Sequence, residues 1–332
     1  MFQEAAQSGA VVRRQLDANA VIVARLAKRL REDPPRVVVT CARGSSDHAA
    51  TFAKYLFETR MGILVASAAP SVASVYGARF DLRGALFLAI SQSGRSPDLV
   101  AGARSAKEAG ALVIAAVNDE GSPLAAAADF TLPLNAGAET SVAATKSYIA
   151  SLAALVNLAA EWARDDGMRA ALDRLPEDLD RAWALDWSGA VRALTPSSHL
   201  YVIARGVGLG IAQEAALKCK ETCALHAEAF SSAEVRHGPQ ALLQGKFPAL
   251  VFCQDDETRS GTQTFAAELR ERGVDVWMAG GDNSNLPSIA SHPVVEPILI
   301  AQSFYRMANA LAIARGHDPD NPPHLAKVTQ TL

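Results

Sequence analysis

Short apolar segments alternate with helical segments from residue 37 onward, and this alternation indicates an α/β fold. The apolar segments lack the two-residue alternation of a half-exposed strand, so we predict parallel strands that are buried on both faces. In the first half of the chain these predicted strands are residues 37–40, 63–66, 85–90, 112–117 and 130–134.

Helical periodicity marks both ends of this first half. Residues 1–35 carry apolar side chains at helical spacing and end at Asp33-Pro34-Pro35, so we predict an N-terminal helix. The Ala- and Leu-rich residues 141–164 predict a long closing helix, and the polar residues 165–180 indicate a linker.

The second half of the chain repeats the first at a constant offset. Ala42-Arg43-Gly44 follows the first predicted strand, and Ala204-Arg205-Gly206 follows residues 200–203, an offset of 162 residues. The same offset aligns residues 89–92 with 251–254 and brings 112–117 close to 274–279. We therefore predict a duplicated α/β unit, with domains at residues 36–165 and 185–316 and a C-terminal segment at 317–332. Each domain is expected to be a doubly wound parallel sheet that binds ligands at the carboxyl ends of its strands.

Composition and charge exclude several classes of partner. The chain has 332 residues, of which 49% are hydrophobic, and this is enough for two cores. Its formal net charge of −3 and the lack of a basic run predict no nucleic-acid partner. The first 20 residues are charged and no apolar run reaches the roughly 18 residues of a membrane span. We therefore expect no signal peptide, no membrane association and a cytoplasmic location.

The cysteines do not indicate a metal site. They lie in apolar contexts without the spacing of metal ligands, so we interpret them as buried reduced thiols and expect neither a metal nor a cofactor. The four are Cys41, Cys219, Cys223 and Cys253.

A serine-rich loop, SQSGRS at residues 91–96, follows the buried segment 85–90 and leads to Pro97, where a helix is predicted to begin. Backbone N–H groups at that helix start, together with three serine hydroxyls, suit a bound phosphate, although the same residue types also form turns and caps. Ser45 and Ser46, after the first strand, face the same sheet edge. The equivalent loop of the second half contains Asp255 and Asp256, whose charges repel a phosphate, so only the first half is predicted to bind one.

Glu214, Lys218 and Glu221 have the spacing of one helical face. Such a face is often an exposed ladder of ion pairs, but the small and apolar neighbours here favour a buried helix in which a carboxylate can carry protons. His237 precedes a Gly-Pro turn, and a loop histidine suits proton transfer near neutral pH. Lys327 lies in a proline-rich end that would ordinarily be solvated. The remaining histidines are interpreted as structural: His48, His199, His226, His292, His317 and His324.

Together these motifs resemble the SIS (sugar isomerase) domain family, in particular the isomerase half of glucosamine-6-phosphate synthase and its stand-alone deaminase relatives. The resemblance covers nearly the whole chain. It implies two tandem SIS domains, each an αβα sandwich with a flavodoxin-like sheet. The motifs are SQSG at 91–94, ETSVAATK at 139–146, EAALKCKE at 214–221, HAEA at 226–229, EVRHGP at 234–239 and NPPHLAK at 321–327.

The resemblance also implies a role for each matching residue. Glu221 is expected to move a proton between C1 and C2 of the sugar, supported by Glu214 and Lys218. His237 is expected to assist ring opening from the neighbouring subunit of a homodimer, and Lys327 to form an imine with the open-chain keto sugar. The residues expected to hold the sugar phosphate are Ser46, Ser91, Gln92, Ser93 and Ser96, with Val142 and Ala326 lining the sugar.

Two departures from the family pattern shape the functional expectation. Arg95 and Ser96 stand where the family commonly has a carboxylate and a threonine, and the glutaminase part of the synthase has no counterpart in the sequence. We therefore expect a deaminase and isomerase that converts glucosamine 6-phosphate into fructose 6-phosphate and ammonia. A deaminase or deglycase for galactosamine 6-phosphate or fructosamine 6-phosphate, and a non-catalytic phosphosugar sensor, stay open as alternatives.

Overall fold

The structure is a computed structural model that describes residues 1–327, and it divides into two compact units. The N-terminal unit comprises Ala10–Glu139, Lys146–Asp173 and the described residues from Ala326 onward. The C-terminal unit comprises Met1–Gly9, Thr140–Thr145 and Arg174–Leu325.

Strands and helices alternate along most of the described chain. The strands are β1 Val37–Cys41, β2 Val65–Ser67, β3 Ala85–Ser91, β4 Leu112–Val117, β5 Phe130–Pro133, β6 His199–Ala204, β7 His226–Ser231, β8 Pro248–Phe252 and β9 Asp275–Ala279. The helices are α1 Phe2–Ala6, α2 Ser8–Glu32, α3 Ser45–Met61, α4 Pro70–Ser74, α5 Pro97–Glu108, α6 Pro123–Ala127, α7 Lys146–Ala163, α8 Asp166–Ala184, α9 Ser188–Leu194, α10 Gly208–Cys223, α11 Arg259–Glu271 and α12 Glu296–Ala314. Two 3₁₀ turns, Glu234–His237 and Pro239–Leu242, follow β7.

The sheet of the N-terminal unit is parallel, with the strand order β2-β1-β3-β4-β5. This is the order of flavodoxin-like folds, in which ligands bind at the carboxyl ends of the strands near the β1/β3 switch point. Every residue of β3 is buried, as its continuous apolar sequence predicts for a central parallel strand. The predicted fold class is confirmed in this unit.

The C-terminal unit repeats this topology with one strand fewer. Its parallel sheet has the order β7-β6-β8-β9. Adding 162 residues to β1, β3 and β4 gives the positions of β6, β8 and β9, so the predicted duplication of the fold is confirmed. The strand β7 was not predicted, because it lacks a continuous apolar run: it includes the exposed His226 and Glu228, and only Ala227 is buried.

Three helical segments differ from the prediction. The closing helix predicted at residues 141–164 is α7, which begins only at Lys146. The N-terminal helical segment ends at Glu32, just before the predicted Asp33-Pro34-Pro35 stop, but it is interrupted at Gln7, between α1 and α2. The predicted linker at residues 165–180 is wrong, because most of it belongs to α8, which continues through an internal proline, Pro176. The reason is a buried apolar stripe at helical spacing within a polar composition, formed by Met168, Ala171, Leu172, Leu175, Leu179 and Ala182.

The cysteines are buried, as the sequence predicts, and carry free thiols. Burial raises the pKa of Cys41 and of Cys253 to about 12, so both thiols stay protonated at neutral pH and are poor nucleophiles. Within residues 1–327, the helices are too short or too polar to cross a membrane.

Candidate active site

Three of the four charged residues of α10 form a largely buried ion-pair network in the C-terminal unit. Lys218 Nζ lies 3.1 Å from Glu214 Oε1 and 2.7 Å from Glu221 Oε2. Lys218 and Glu214 have 1% of their side-chain surface exposed, whereas Glu221 has 22%. The helix therefore places two ionic groups in the interior and a third at the solvent boundary, where a small molecule can reach it.

The charge state of Lys218 follows from this environment. Burial alone lowers the pKa of a lysine, but the two adjacent carboxylates and their hydrogen bonds outweigh it, and the pKa of Lys218 is raised. Lys218 is thus an ammonium at neutral pH and offsets part of the negative charge of Glu214 and Glu221. The network places a partly exposed carboxylate beside a buried ammonium, and this arrangement suits proton transfer.

Glu221 opens onto a cavity of about 240 Å³. The wall includes Ala224, whose left-handed backbone (φ 46°) ends α10, and His317, which follows the positive-φ Gly316 at the end of α12. His317 had been interpreted as structural, and no local sequence signal distinguishes it from the other histidines. The full lining is Lys220, Glu221, Thr222, Ala224, His317, Pro323 and Leu325.

The loop that contains Val142 is fixed by two hydrogen-bonded contacts within the same unit. The Val142 N–H donates to the carbonyl oxygen of Asp320 at 3.3 Å. The Glu4 carboxylate accepts hydrogen bonds from Thr140 (2.5 Å to its N–H) and from the N–H of Ser141 (3.2 Å). Burial opposes ionisation of Glu4, but these bonds outweigh it and its pKa is lowered. An ionised Glu4 therefore orders the backbone beside Val142.

His237 lies apart from this cavity. It ends the 3₁₀ turn Glu234–His237, its side chain is exposed, and it is not part of the cavity lining. Gly238 follows with a φ of 136°, a conformation that L side chains rarely adopt. The preceding Arg236 pairs with Glu268 at 2.8 Å, which secures the turn. The turn therefore presents the imidazole to solvent in the single chain.

In the N-terminal unit, the serine-rich loop leaves the carboxyl end of β3. Ser91 Oγ accepts a hydrogen bond from the N–H of Gly94 at 3.0 Å, and Ser93 Oγ accepts one from the N–H of Arg95 at 3.3 Å. Ser96 precedes α5 with extended backbone, and its side chain makes no capping hydrogen bond. The hydroxyl of Ser96 thus lies at the positive end of a helix dipole, an arrangement that favours an anion.

Gly94 is required by the loop's geometry. Its φ is 63°, and a Cβ at this position would lie 2.6 Å from Ser122 Cβ. A side chain here would therefore displace either the loop or the Ser122 cap of α6.

Ser46 and Arg95 complete this edge of the sheet. Ser46 is half-buried in the first turn of α3, which follows β1, and β1 is hydrogen-bonded to β3. Ser46 and the loop 91–96 therefore lie at the carboxyl ends of adjacent strands, as predicted. Arg95 Nη2 lies 2.8 Å from Asp119 Oδ2, so its guanidinium links the serine-rich loop to the loop after β4.

Lys327 is anchored in the N-terminal unit by Glu139. Lys327 Nζ donates to Glu139 Oε2 at 3.2 Å, and the Glu139 side chain is fully buried. The N–H and hydroxyl of Ser147 donate to the same carboxylate at 3.2 and 2.6 Å. The neighbouring Ala326 is exposed. The proline-rich tail is thus held by a specific contact up to Lys327.

The corresponding loop of the C-terminal unit is filled by its own side chains. Gln254 is 1% exposed, and its Nε2 donates to the Arg205 carbonyl at 2.8 Å and to Asp256 Oδ2 at 2.9 Å. Asp256 Oδ1 also accepts from the N–H of Thr258 at 2.8 Å. The Asp256 carboxylate thus occupies hydrogen-bond donors of this loop, the Gln254 amide and the Thr258 N–H, that a bound phosphate would need. That the second half binds no phosphate stays a prediction.

No group of three or more His, Cys, Asp and Glu side chains in the part of the chain that the structure describes is arranged to hold a metal ion.

The N-terminal unit thus carries a serine-rich loop at the carboxyl edge of its sheet, and the C-terminal unit carries a Glu-Lys-Glu ion-pair network on α10. A sequence model of the SIS domain matches residues 33–160 and 193–295, and the chain belongs to the SIS domain family.

Similar proteins extend this comparison. The glutamine–fructose-6-phosphate aminotransferase (isomerizing) of Aeropyrum pernix is 33% identical over 86% of this chain and 49% of its own length. The chain thus spans about half the length of the curated relatives it matches. A candidate phosphosugar isomerase from Silicibacter pomeroyi DSS-3 is 44% identical, with a TM-score of 0.93 over 96% of this chain and 99% of that one. A glucosamine-6-phosphate deaminase from Thermotoga maritima shares the fold at 24% identity, with a TM-score of 0.76 over 97% of this chain and all of that one.

Proposed function

We propose that this chain is an aminosugar-phosphate deaminase and isomerase that converts glucosamine 6-phosphate and water into fructose 6-phosphate and ammonia. The observation that carries the proposal is the buried ammonium of Lys218 between Glu214 and Glu221, with Glu221 facing a cavity. Membership of the SIS domain family supports a phosphosugar as the substrate class.

The central step is a proton transfer between adjacent carbons. In the open-chain aldehyde, Glu221 removes the proton from C2, a C1=C2 double bond forms, and the aldehyde oxygen takes up a proton from water, which gives an enolamine with a hydroxyl at C1. The protonated Glu221 returns the proton to C1, which leaves an iminium at C2. Lys218, 2.7 Å from Glu221, is proposed to orient the Glu221 carboxyl group for both transfers.

The nitrogen leaves by hydrolysis of that imine. Water adds to C2, its oxygen becomes the ketone of fructose 6-phosphate, and ammonia departs with the C2 nitrogen. Lys327 can act in the same step as an amine that displaces ammonia to form an enzyme-bound imine, which water then hydrolyses. Glu139, 3.2 Å from Lys327 Nζ, is proposed to take the proton that Lys327 must lose to become a nucleophile.

The phosphate is proposed to bind at the serine-rich loop of the N-terminal unit. Ser91, Gln92, Ser93 and Ser96 lie at the carboxyl end of β3, and the dipole of α5 favours negative charge there. Ser46 adds a hydroxyl at the end of the adjacent strand. Val142 and Ala326 are proposed to contact the sugar.

His237 is proposed to protonate the ring oxygen during ring opening, from the neighbouring subunit of a homodimer. Its exposed position on a fixed turn, outside the cavity lining of its own chain, supports this assignment.

The substitution Glu221→Gln tests the proton transfer. We expect ammonia release and deuterium incorporation into fructose 6-phosphate in heavy water to fall at least about 100-fold, the usual contribution of a positioned general base. Binding of fructose 6-phosphate, measured by calorimetry, should change less than about twofold, because the serine-rich loop is untouched. Glu271→Gln, at an exposed position of α11, is the matched control. Equal losses of binding and turnover in Glu221→Gln would contradict the role.

A further inference from the structure

The phenol of Tyr305 extends the ionic network of α10 to a second helix. Tyr305 lies in α12, is fully buried, and its hydroxyl donates to Glu214 Oε1 at 3.0 Å. The two residues are 91 positions apart, so the contact depends on the packing of α12 against α10. No motif in the sequence assigns a role to this tyrosine.

Two donors meet at one carboxylate oxygen. Glu214 Oε1 accepts from Tyr305 at 3.0 Å and lies 3.1 Å from Lys218 Nζ, which lies 2.7 Å from Glu221 Oε2. The order of groups is therefore phenol, carboxylate, ammonium, carboxylate, and the last group faces the cavity. Three of the four side chains are almost completely buried, so the network is shielded from water.

The Tyr305 hydroxyl affects how the Lys218 ammonium is shared between the carboxylates of Glu214 and Glu221. A buried carboxylate needs donors to replace its lost hydration, and it draws more strongly on the remaining donors when one is removed. Without the phenol, Glu214 would draw Lys218 toward itself and away from Glu221. Glu221 is partly exposed and can turn to water, so it is the partner that Lys218 would release.

We propose that Tyr305 is a positioning residue, whose hydroxyl satisfies Glu214 so that Lys218 stays with Glu221. This inference rests on the proposed function, because it assigns Tyr305 to the proton-transfer step of that reaction. Tyr305 acts through Glu214 and Lys218.

The substitution Tyr305→Phe removes only the hydroxyl. We expect kcat for ammonia release from glucosamine 6-phosphate to fall about 10- to 100-fold, the change expected for one hydrogen bond to a charged group. KM and the affinity for fructose 6-phosphate should change less than about twofold, since the serine-rich loop is intact. The matched control is Tyr201→Phe, in β6, where the ring is buried against Phe230 and Phe247. That control should retain wild-type kcat.

A double-substitution cycle separates positioning from general loss of structure. If Tyr305 acts through Glu214, then Tyr305→Phe in a Glu214→Gln background should reduce kcat by less than about twofold further. All rates are compared well below the unfolding midpoint of each variant. Independent, multiplicative losses in the double variant would overturn the inference, and so would a kcat of Tyr305→Phe equal to that of Tyr201→Phe.

The wild-type protein separates this inference from the proposed function. Wild-type protein that releases no ammonia and exchanges no C2 proton overturns the proposed function and, with it, the role of Tyr305. An active wild type with an unaffected Tyr305→Phe variant overturns the role of Tyr305 alone.

Discussion

Replacement of Lys218 by methionine tests whether the network on α10 is as buried and as ionic as the structure shows. Methionine keeps the length and the apolar stem of lysine but removes the charge between two carboxylates at 3.1 and 2.7 Å. Glu214, with 1% of its side chain exposed, would be left without its cation, and breaking a buried pair in this way costs about 3–5 kcal/mol. The hydroxyl of Tyr305 continues to donate to Glu214, so we expect a loss of about 3 kcal/mol.

The assay is equilibrium unfolding in urea at pH 7, followed by circular dichroism. The free energy of unfolding of Lys218→Met is compared with that of Lys28→Met, which removes the lysine of an exposed pair with Glu32 at the same i,i+4 spacing and 3.7 Å. The exposed pair should contribute less than about 0.5 kcal/mol. The double variant Lys218→Met/Glu214→Gln should recover at least half of the loss, because the unpaired buried charge is gone. A loss below about 1 kcal/mol in Lys218→Met would refute the reasoning.

Three further results are expected. The stability difference between wild type and Lys218→Met should be constant from pH 8 to about 10 and shrink above about 10.5. The reason is that the pKa of Lys218 is higher in the folded protein than in the unfolded chain, so its stabilising charge is lost as the pH rises through the folded-state pKa. Free energies of unfolding measured from pH 8 to 11.5 check this. Gly94→Ala should weaken fructose 6-phosphate binding at least about tenfold in calorimetry, since its Cβ would overlap Ser122, whereas Gly121→Ala, 3.4 Å from its nearest neighbour, should bind normally. Borohydride reduction with fructose 6-phosphate should attach the sugar to Lys327, a mass change in its peptide that is lost in Lys327→Arg.

The sheets could be predicted from the sequence because central parallel strands are apolar along their whole length. The strand β3 is buried at every residue, and its apolar sequence marks it without further information. The edge strand β7 has a single buried residue, Ala227, and includes the exposed His226 and Glu228, so it lacks that signal. The helix α8 was mistaken for a linker because its surface is polar and Pro176 lies inside it. Both segments are polar overall, so their composition does not reveal which of their residues are buried.

In the candidate site, contacts within one helix could be predicted from the sequence, whereas contacts between residues distant in the sequence could not. The spacing of Glu214, Lys218 and Glu221 fixes a common helical face, so their proximity follows from the geometry of one helix. The contact of Tyr305 with Glu214 depends on how α12 packs, and no sequence spacing encodes it. The same holds for Lys327 and Glu139, which are 188 positions apart.

The most direct test of the proposed function is ammonia release from the purified chain supplied with glucosamine 6-phosphate, in parallel with galactosamine 6-phosphate and N-acetylglucosamine 6-phosphate. We predict release from glucosamine 6-phosphate alone, with fructose 6-phosphate formed in equal amount and the activity lost in Glu221→Gln. Release from galactosamine 6-phosphate alone would reassign the substrate. Tight binding of fructose 6-phosphate without ammonia release from any of the three would contradict the deaminase assignment and favour a sensor or a deglycase.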